Sequence, residues 1–539
     1  MQRIKKVSVF LAAGLLIVLT AVFPGELGLN AGWGKTRIVV LILGLVVAIL
    51  PWLPWKRSGT RAEPLQSDLF AFPALLIVIV VYLWFSSVSR DSTSNYYDLL
   101  ATSFRRGELS LSLRPDPALL ELSNPYDPAE RQGIRAPLDL SLYKGKFYLY
   151  WGPAPALLVA IARPLLPGQV SDGYLLLAFV CGIFLSQFLL IMHLWERFFP
   201  EVPKWLLILS IVVAGWIHPT LWLLSQPKIY ETAIAGGQFF FLAGLLSAVT
   251  ALDRPTPSAW RLALAGTFWS LAVGARSVLL FPIAFMTLMV VLWFYKLYRQ
   301  SLLKFVTGLV PLGLPLIVGA AAFAWYNWAR FGSISETGFT YALAGPYLQE
   351  HLHELFLPVY SFQNLYNYLL NPLSTRQAFP FLYAVRGAFE EILPWQTLPE
   401  IYSAQAITGI LWSAPFSMFA VVPVFMALKQ LFRRDQTNHS NEHTRAAAFH
   451  WIRTSLIGSC LLAFGCLMAF FWTAMRYAED FMPALTLLGI IGFWHGYRSL
   501  AQDSKKGKMF TICGTTLAGI SVVIGILLAL STYFTNGLL

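Results

Sequence analysis

The chain has 539 residues, of which 57% are hydrophobic and only 12% charged, and its mean hydropathy is +0.61. Soluble domains carry about 25% charged residues, so this composition excludes an ordinary soluble protein and predicts an all-α polytopic membrane protein. The formal charge of +12 indicates basic cytoplasmic loops rather than nucleic-acid binding, because no basic stripe occurs outside the loops. All four cysteines lie within apolar runs without metal-site spacing, which favours buried thiols.

A helix that crosses a bilayer needs about 20 mostly apolar residues. On this criterion the sequence predicts about 13 transmembrane helices: 7–23, 37–54, 68–88, 173–194, 204–223, 233–252, 259–274, 277–296, 304–326, 405–428, 450–473, 480–498 and 508–532. No small-residue cleavage site follows the first run, so we expect a retained helix and not a signal peptide. The run 153–170 is short and interrupted by prolines, which indicates an interfacial or re-entrant helix.

Lysine and arginine are concentrated in the N-terminal segment and in every second short loop after it. Because cytoplasmic loops carry the excess of these residues, the pattern predicts a cytoplasmic N-terminus. With that orientation, the two long loops, 89–172 and 327–404, lie on the outer side of the membrane. The first contains the longest polar, charge-rich stretch, 89–155. We expect this stretch to fold against the ends of the helices and to line a cavity there.

Charged residues gather where the apolar runs meet the outer side. They are Arg90, Asp91, Asp98, Lys228, Glu231, Arg276, Arg330, Arg476, Glu479 and Asp480. Charge at membrane depth is costly and tends to face a cavity or a partner. Cations that converge beside carboxylates suit a lipid-linked phosphate together with a general base.

Structural roles are open alternatives for these residues. Lys228 with Glu231, and Arg476 with Asp480, have the spacing of helix-surface ion pairs. Arg276 has the apolar flanks of a side chain that snorkels toward lipid headgroups. The segment EHLHEL at 350–355 lacks the HExxH zinc spacing, so no metal site is expected.

Several segments, taken in order and with their sidedness, resemble one enzyme superfamily. They are Asp91 followed by YYDLLATSFRRGELSL, NPYDP at 124–128, DLSLYKGKFYLYWGPAP at 139–155, GARSVLLFP at 274–282, YNWARFGS at 326–333, GFTY at 338–341 and RYAEDFMP at 476–483. Together they are similar to the type C (GT-C) membrane glycosyltransferases, in a bacterial branch related to protein O-mannosyltransferases and lipid A aminoarabinose transferases. The resemblance covers a catalytic module at 68–500, which leaves two extra N-terminal helices in 1–67 and a C-terminal helix in 501–539.

The resemblance implies an inverting enzyme of the bacterial inner membrane, and no cofactor is expected from the sequence. It would move a sugar from a polyprenyl-phosphate donor to a glycan, lipid or protein acceptor on the outer face. The family's catalytic base maps onto Asp91, but Asp-Ser stands where relatives have Asp-Glu, so Asp98 and Asp139 remain alternatives. The second acidic position matches Glu231. The donor-phosphate cations match Arg276, with Lys228, Arg476 and Arg330 as further candidates.

The chemistry of these residue types agrees with that expectation. A carboxylate accepts the proton of an attacking hydroxyl, and a phosphate leaving group needs no general acid. Cations at the phosphate stabilise the charge that develops as it departs. The alternative function is a transporter or flippase of a lipid-linked substrate. Transporters often have repeated halves and charges at mid-membrane, whereas this sequence shows no similar halves and its charges lie toward one face.

Overall fold

The computed structural model describes residues 65–88, 94–134, 136–137, 139–166, 168–254, 256–345, 347–431, 440–500 and 504–535, with isolated positions 14, 17, 40 and 44. This part of the chain is mainly helical, as the composition predicts. Its α-helices, numbered α1 to α17, are Leu65–Val88, Tyr96–Arg105, Pro117–Glu121, Ala154–Ala162, Asp172–Phe198, Lys204–Trp216, Thr220–Ser225, Ile229–Leu252, Ala259–Ala275, Leu280–Tyr298, Leu302–Phe331, Ser361–Leu369, Ile410–Ser413, Val421–Leu431, Ser440–Met468, Met482–Leu500 and Ser504–Thr535. The predicted helices 7–23 and 37–54 lie outside the described residues.

Among the described residues, eight helical segments are long and apolar enough to cross a membrane. They are Ala71–Val88, Asp172–Phe198, Lys204–Ser225, Ile229–Leu252, Ser277–Tyr298, Leu302–Phe331, Arg445–Met468 and Lys505–Phe534. Each coincides with a predicted span. The predicted total of about 13 is not confirmed.

Three predicted spans differ from this set for physical reasons. The run 259–274 forms a helix of only 17 residues. The run 480–498 forms α16, where His495 and Arg498 make the final turns polar. The run 405–428 is not one helix, because Ala406–Ile407 forms a strand and Pro415 begins a separate short apolar segment.

The two long loops fold together over one end of the bundle, which we call the loop-covered end. Short strands organise them: β1 Ser141–Tyr143, β2 Lys146–Tyr148, β3 Leu373–Thr375, β4 Leu382–Arg386, β5 Ser403–Ala404, β6 Ala406–Ile407 and β7 Trp472–Thr473. The strands β1 and β2 form a hairpin, β4 lies between β3 and β6, and β5 runs parallel to β7. Lys144 and Gly145 form the hairpin turn with positive φ angles of 48° and 71°, as a type I′ turn requires.

Backbone pairing makes the two loops one unit. Ser141 forms an antiparallel bridge with Ala342. Next to this bridge, the Asp139 N–H donates to the carbonyl of Leu343 at 3.2 Å, and the Leu343 N–H donates to the carbonyl of Leu140 at 2.8 Å. The first loop also contains α2, α3 and the short apolar helix α4, which matches the predicted interfacial run. Whether this run lies at a membrane surface stays a prediction.

The bundle buries its helices unequally. In α8, 83% of the apolar stretch is buried inside the protein, whereas in α11 only 6% of the apolar stretch is buried. The helix α8 packs between α5 and α9, and its first turn lies beneath the loops. The C-terminal helix α17 packs on α1, where the Tyr533 hydroxyl donates to the carbonyl of Phe85 at 2.6 Å. The predicted domain boundaries at 67 and 500 stay predictions, as does the membrane orientation.

Candidate active site

Asp139 lies at the centre of the loop-covered end. It directly precedes the hairpin and has a φ of 70°, a conformation that non-glycine residues seldom adopt. Its half-buried carboxylate accepts hydrogen bonds from the hydroxyls of Tyr230 and, at 3.4 Å, Tyr150. Burial raises the pKa of Asp139 above its ordinary value, although these hydrogen bonds and the charges of Arg476 and Lys228 act in the opposite direction. Such a carboxylate is a competent general base.

Tyr230 connects Asp139 to a buried guanidinium. The Cζ atom of Arg476 lies 4.7 Å from the centre of the Tyr230 ring and 4.9 Å from that of Tyr477. The Arg476 Nη1 donates to the Oε1 of Gln405 at 2.7 Å, while its Nε makes no hydrogen bond with the described residues. Among these residues, Arg476 also forms no ion pair with a carboxylate. Arg476 therefore retains donor capacity for an anionic ligand.

Glu231 and Lys228 lie at the start of α8, beside this pair. Glu231 is 2% exposed, and its Oε2 has no hydrogen-bond partner among the described residues. The charges of Arg476 and Lys228 act on it. The side chain of Lys228 is exposed, and it forms no ion pair with Glu231 within the described chain. The ion-pair interpretation of these two residues is therefore wrong, because their interaction acts over a longer distance.

Arg276 forms the best-defined ion pair of the site. Its Nη2 lies 2.7 Å, and its Nε 3.2 Å, from the Oδ2 of Asp480. The exposed side-chain fractions are 10% for Arg276 and 0% for Asp480. Asp480 therefore forms its ion pair with Arg276. The alternative interpretation, a helix-surface ion pair of Asp480 with Arg476, is wrong. The ion pair with Asp480 leaves Arg276 electrically compensated.

A close backbone contact brings the first loop against Arg276. A Cβ atom on Gly152 would lie 2.1 Å from the carbonyl oxygen of Gly274, so only glycine fits at this position. The neighbouring Trp151 packs edge-on against Tyr230, with ring centres 5.3 Å apart. The YWGP and GARS segments singled out in the sequence therefore meet at the site.

Asp98 lies in the first turn of α2 and is buried. Its Oδ1 accepts a hydrogen bond from the Nη1 of Arg163 at 2.7 Å, which ties α2 to the end of α4. A second carboxylate, Asp172, accepts the N–H groups of Tyr96 and Tyr97 at 3.1 and 3.2 Å. It thereby supplies the side-chain cap that Asn95 does not provide.

Arg330 is buried near the C-terminus of α11. Its Nη1 donates to the carbonyl of Leu149 at 2.8 Å, and its Nη2 donates to the Oδ1 of Asn327 at 2.9 Å and to the carbonyl of Thr337 at 3.3 Å. Through these hydrogen bonds, the guanidinium of Arg330 connects α11 to both loops. Its role as a phosphate ligand stays a prediction.

The structure brings together five of the eight predicted site residues: Asp139, Glu231, Lys228, Arg276 and Arg476. Asp98 and Arg330 lie at the same end but bind other partners, and Asp91 lies outside the described residues. Sequence reasoning missed Tyr230, Tyr150 and Gln405. The only available signal for Tyr230 was its position between Lys228 and Glu231. The catalytic and phosphate-binding roles of all eight residues stay predictions.

No protein-family model and no curated protein matches the sequence. Among solved structures, the chain is similar to the oligosaccharyltransferase of Archaeoglobus fulgidus in its apo form, with a TM-score of 0.44 and 12% identity. The match covers 87% of this chain and 56% of that protein, so the chain spans little more than half the length of that protein. The bacterial GT-C branch to which the motifs point stays a prediction.

Proposed function

We propose that the chain is a membrane glycosyltransferase that moves a sugar from a polyprenyl-phosphate donor to an acceptor hydroxyl at the loop-covered end. The observation that carries this proposal is the arrangement around Tyr230. Its hydroxyl is hydrogen-bonded to the carboxylate of Asp139, and its ring lies against the guanidinium of Arg476. The proposed base and the proposed phosphate ligand are therefore one side chain apart.

In the proposed reaction, the oxygen of the acceptor hydroxyl forms a bond to the anomeric carbon of the sugar. At the same time, Asp139 accepts the proton of that hydroxyl. The bond from that carbon to the phosphate oxygen breaks, and its electron pair leaves with the phosphate. Arg476 stabilises this negative charge through the donors that the protein leaves available. Attack opposite the leaving group inverts the anomeric carbon.

The supporting cations have graded roles in this scheme. Lys228, with its exposed side chain, adds positive charge at the site entrance, where it attracts the anionic donor. Arg276 is compensated by Asp480 and acts mainly by placing the segment that carries Arg476. Glu231 balances Arg476 when the donor is absent. Asp91 and Asp98 remain the alternative bases.

Isolated membranes that contain single variants would test the assignment. We expect Asp139→Asn to lower transfer of a radiolabelled sugar from its polyprenyl-phosphate donor by about 10²–10⁴-fold, the usual contribution of a general base, with donor binding retained. Asp91→Asn is the matched control and should stay active. Full activity of Asp139→Asn with loss in Asp91→Asn would move the base to Asp91. Translocation of the lipid-linked donor without sugar transfer would favour the transporter alternative.

A further inference from the structure

A second set of cationic and polar side chains lies at the opposite end of the bundle, far along α15 and α16 from the proposed active site. We call it the Arg453 cluster: Gln430, His450, Arg453, His495 and Arg498. Gln430 lies in the last turn of α14, His450 and Arg453 lie on α15, and His495 and Arg498 lie near the end of α16.

Arg453 is the unusual member because its guanidinium is buried and has no counter-charge among the described residues. The residue is 1% exposed. Its Nη2 contacts the Oε1 of Gln430 and, at 3.2 Å, the Nδ1 of His450, but its Nε and Nη1 have no hydrogen-bond partners within the described chain. It forms no ion pair with any carboxylate in that part of the protein. Burial of an uncompensated charge with unused donors is strongly unfavourable.

Further positive charge extends from Arg453 to the surface. The charges of both Arg453 and Arg498 act on His495, whose Nδ1 also lacks a hydrogen-bond partner among the described residues. Arg498 is exposed, and its Cζ lies 5.2 Å from the centre of the Phe199 ring. Phe199 packs in turn on Phe449, which lies 6.0 Å from the Arg453 Cζ. The unused donors of Arg453 are therefore connected, through two aromatic rings, to the exposed guanidinium of Arg498 at the end of the bundle.

We propose that the Arg453 cluster binds a phosphate group at the opposite end of the bundle from the active site. Phosphate suits these residues because its oxygens accept several charge-assisted hydrogen bonds from guanidinium and imidazole groups. It would satisfy the Nε and Nη1 of Arg453 and supply the missing negative charge. The phosphate comes either from an anionic lipid headgroup, which has no compensating ammonium group, or from a free anion, and this chemistry is common to both.

Thermal unfolding of the intact chain in nanodiscs tests the proposal, since a ligand that binds the folded state raises its melting temperature. One arm compares phosphatidylcholine discs with discs that also contain phosphatidylglycerol. The other compares sodium phosphate with sodium chloride at equal ionic strength. We expect a higher melting temperature in one of the two comparisons, either with phosphatidylglycerol or with sodium phosphate. The lipid arm identifies a headgroup and the salt arm a free anion, whereas stabilisation in neither arm overturns the proposal.

Two variants locate the binding at Arg453. Arg453→Gln removes the guanidinium, and we expect an affinity at least about tenfold lower, which is the minimum expected from losing hydrogen bonds to a charged group. Gln430→Glu places a carboxylate against Nη2. It should weaken binding similarly while raising the melting temperature without ligand, so it remains informative if Arg453→Gln does not fold.

Arg445→Gln is the control, because Arg445 is an exposed arginine on the same helix, outside the cluster. It removes the same charge, and we expect unchanged binding. An equal loss of affinity in Arg445→Gln would mean general attraction between anions and a basic surface, and would overturn the assignment. Wild-type affinity in both Arg453→Gln and Gln430→Glu would do the same.

Discussion

The two ends of the helix bundle differ in the partners that compensate the charge of their buried arginines. At the loop-covered end, Arg276 is paired with Asp480, and Arg330 donates mainly to backbone carbonyls. At the opposite end, Arg453 has neither kind of compensation within the described chain. Arg476 is intermediate, because it has an amide and two aromatic rings as neighbours but forms no ion pair with a carboxylate that the structure describes. The comparison teaches that compensated arginines hold the fold, whereas uncompensated ones are the candidates for ligand binding.

Breaking the compensated pair should have the largest effect on folding. Asp480→Asn leaves Arg276 buried and charged, which should reduce the free energy of unfolding by about 3–5 kcal/mol. Thermal unfolding of the purified chain measures this change. The double variant Arg276→Gln/Asp480→Asn should recover part of the loss, because it removes both charges. If the double variant is as unstable as Asp480→Asn, the cost does not come from the unpaired arginine.

Arg476→Gln should spare folding and impair activity. Loss of one group that stabilises developing charge should lower sugar transfer by about 10²–10³-fold. The assay is single-turnover transfer in membranes, with the amount of folded protein measured in parallel. Arg476→Lys is the conservative control and should retain more activity. Equal activity of wild type and Arg476→Gln would place Arg476 with the purely structural arginines.

Asp98→Asn tests an ion pair near the edge of the same end. It removes the charged partner of Arg163, which is partly exposed, so the free energy of unfolding should fall by about 1–3 kcal/mol. Sugar transfer should fall only in proportion to the folded fraction. Complete loss of transfer in well-folded Asp98→Asn would instead support Asp98 as the base.

The smallest expected effect is a shift in the pH dependence of transfer. Because burial raises the pKa of Asp139, the rate should increase with pH through a value above the ordinary aspartate pKa, as the carboxylate loses its proton. Tyr230→Phe removes a hydrogen bond that lowers this pKa, so the acid limb should move further upward by about one unit. Tyr150→Phe removes a longer hydrogen bond and should move it less. A downward shift would contradict the assignment of Asp139 as base.

Local composition was sufficient to predict most helices but not how the charges pair. Hydropathy located the eight spans because each is a nearly continuous apolar run. It failed at 405–428, where pairing of β6 with β4 decides the structure of Ala406–Ile407. Arg276 and Asp480 are 204 positions apart, and Tyr230 and Asp139 are 91 apart. No residue spacing predicts such contacts, so the one partner that the sequence suggested for Asp480 was Arg476, four positions earlier.

The contacts of Arg330 make the end of α11 a mechanical link. This helix is the least buried of the eight spans, yet its arginine is fastened to Leu149 in one loop and Thr337 in the other. The second loop in turn accepts the N–H of Asp139. Sideways bending of α11 therefore pulls on the backbone that orients the proposed base. Bilayer thickness and lateral pressure would in this way influence the proposed base without any ligand as intermediary.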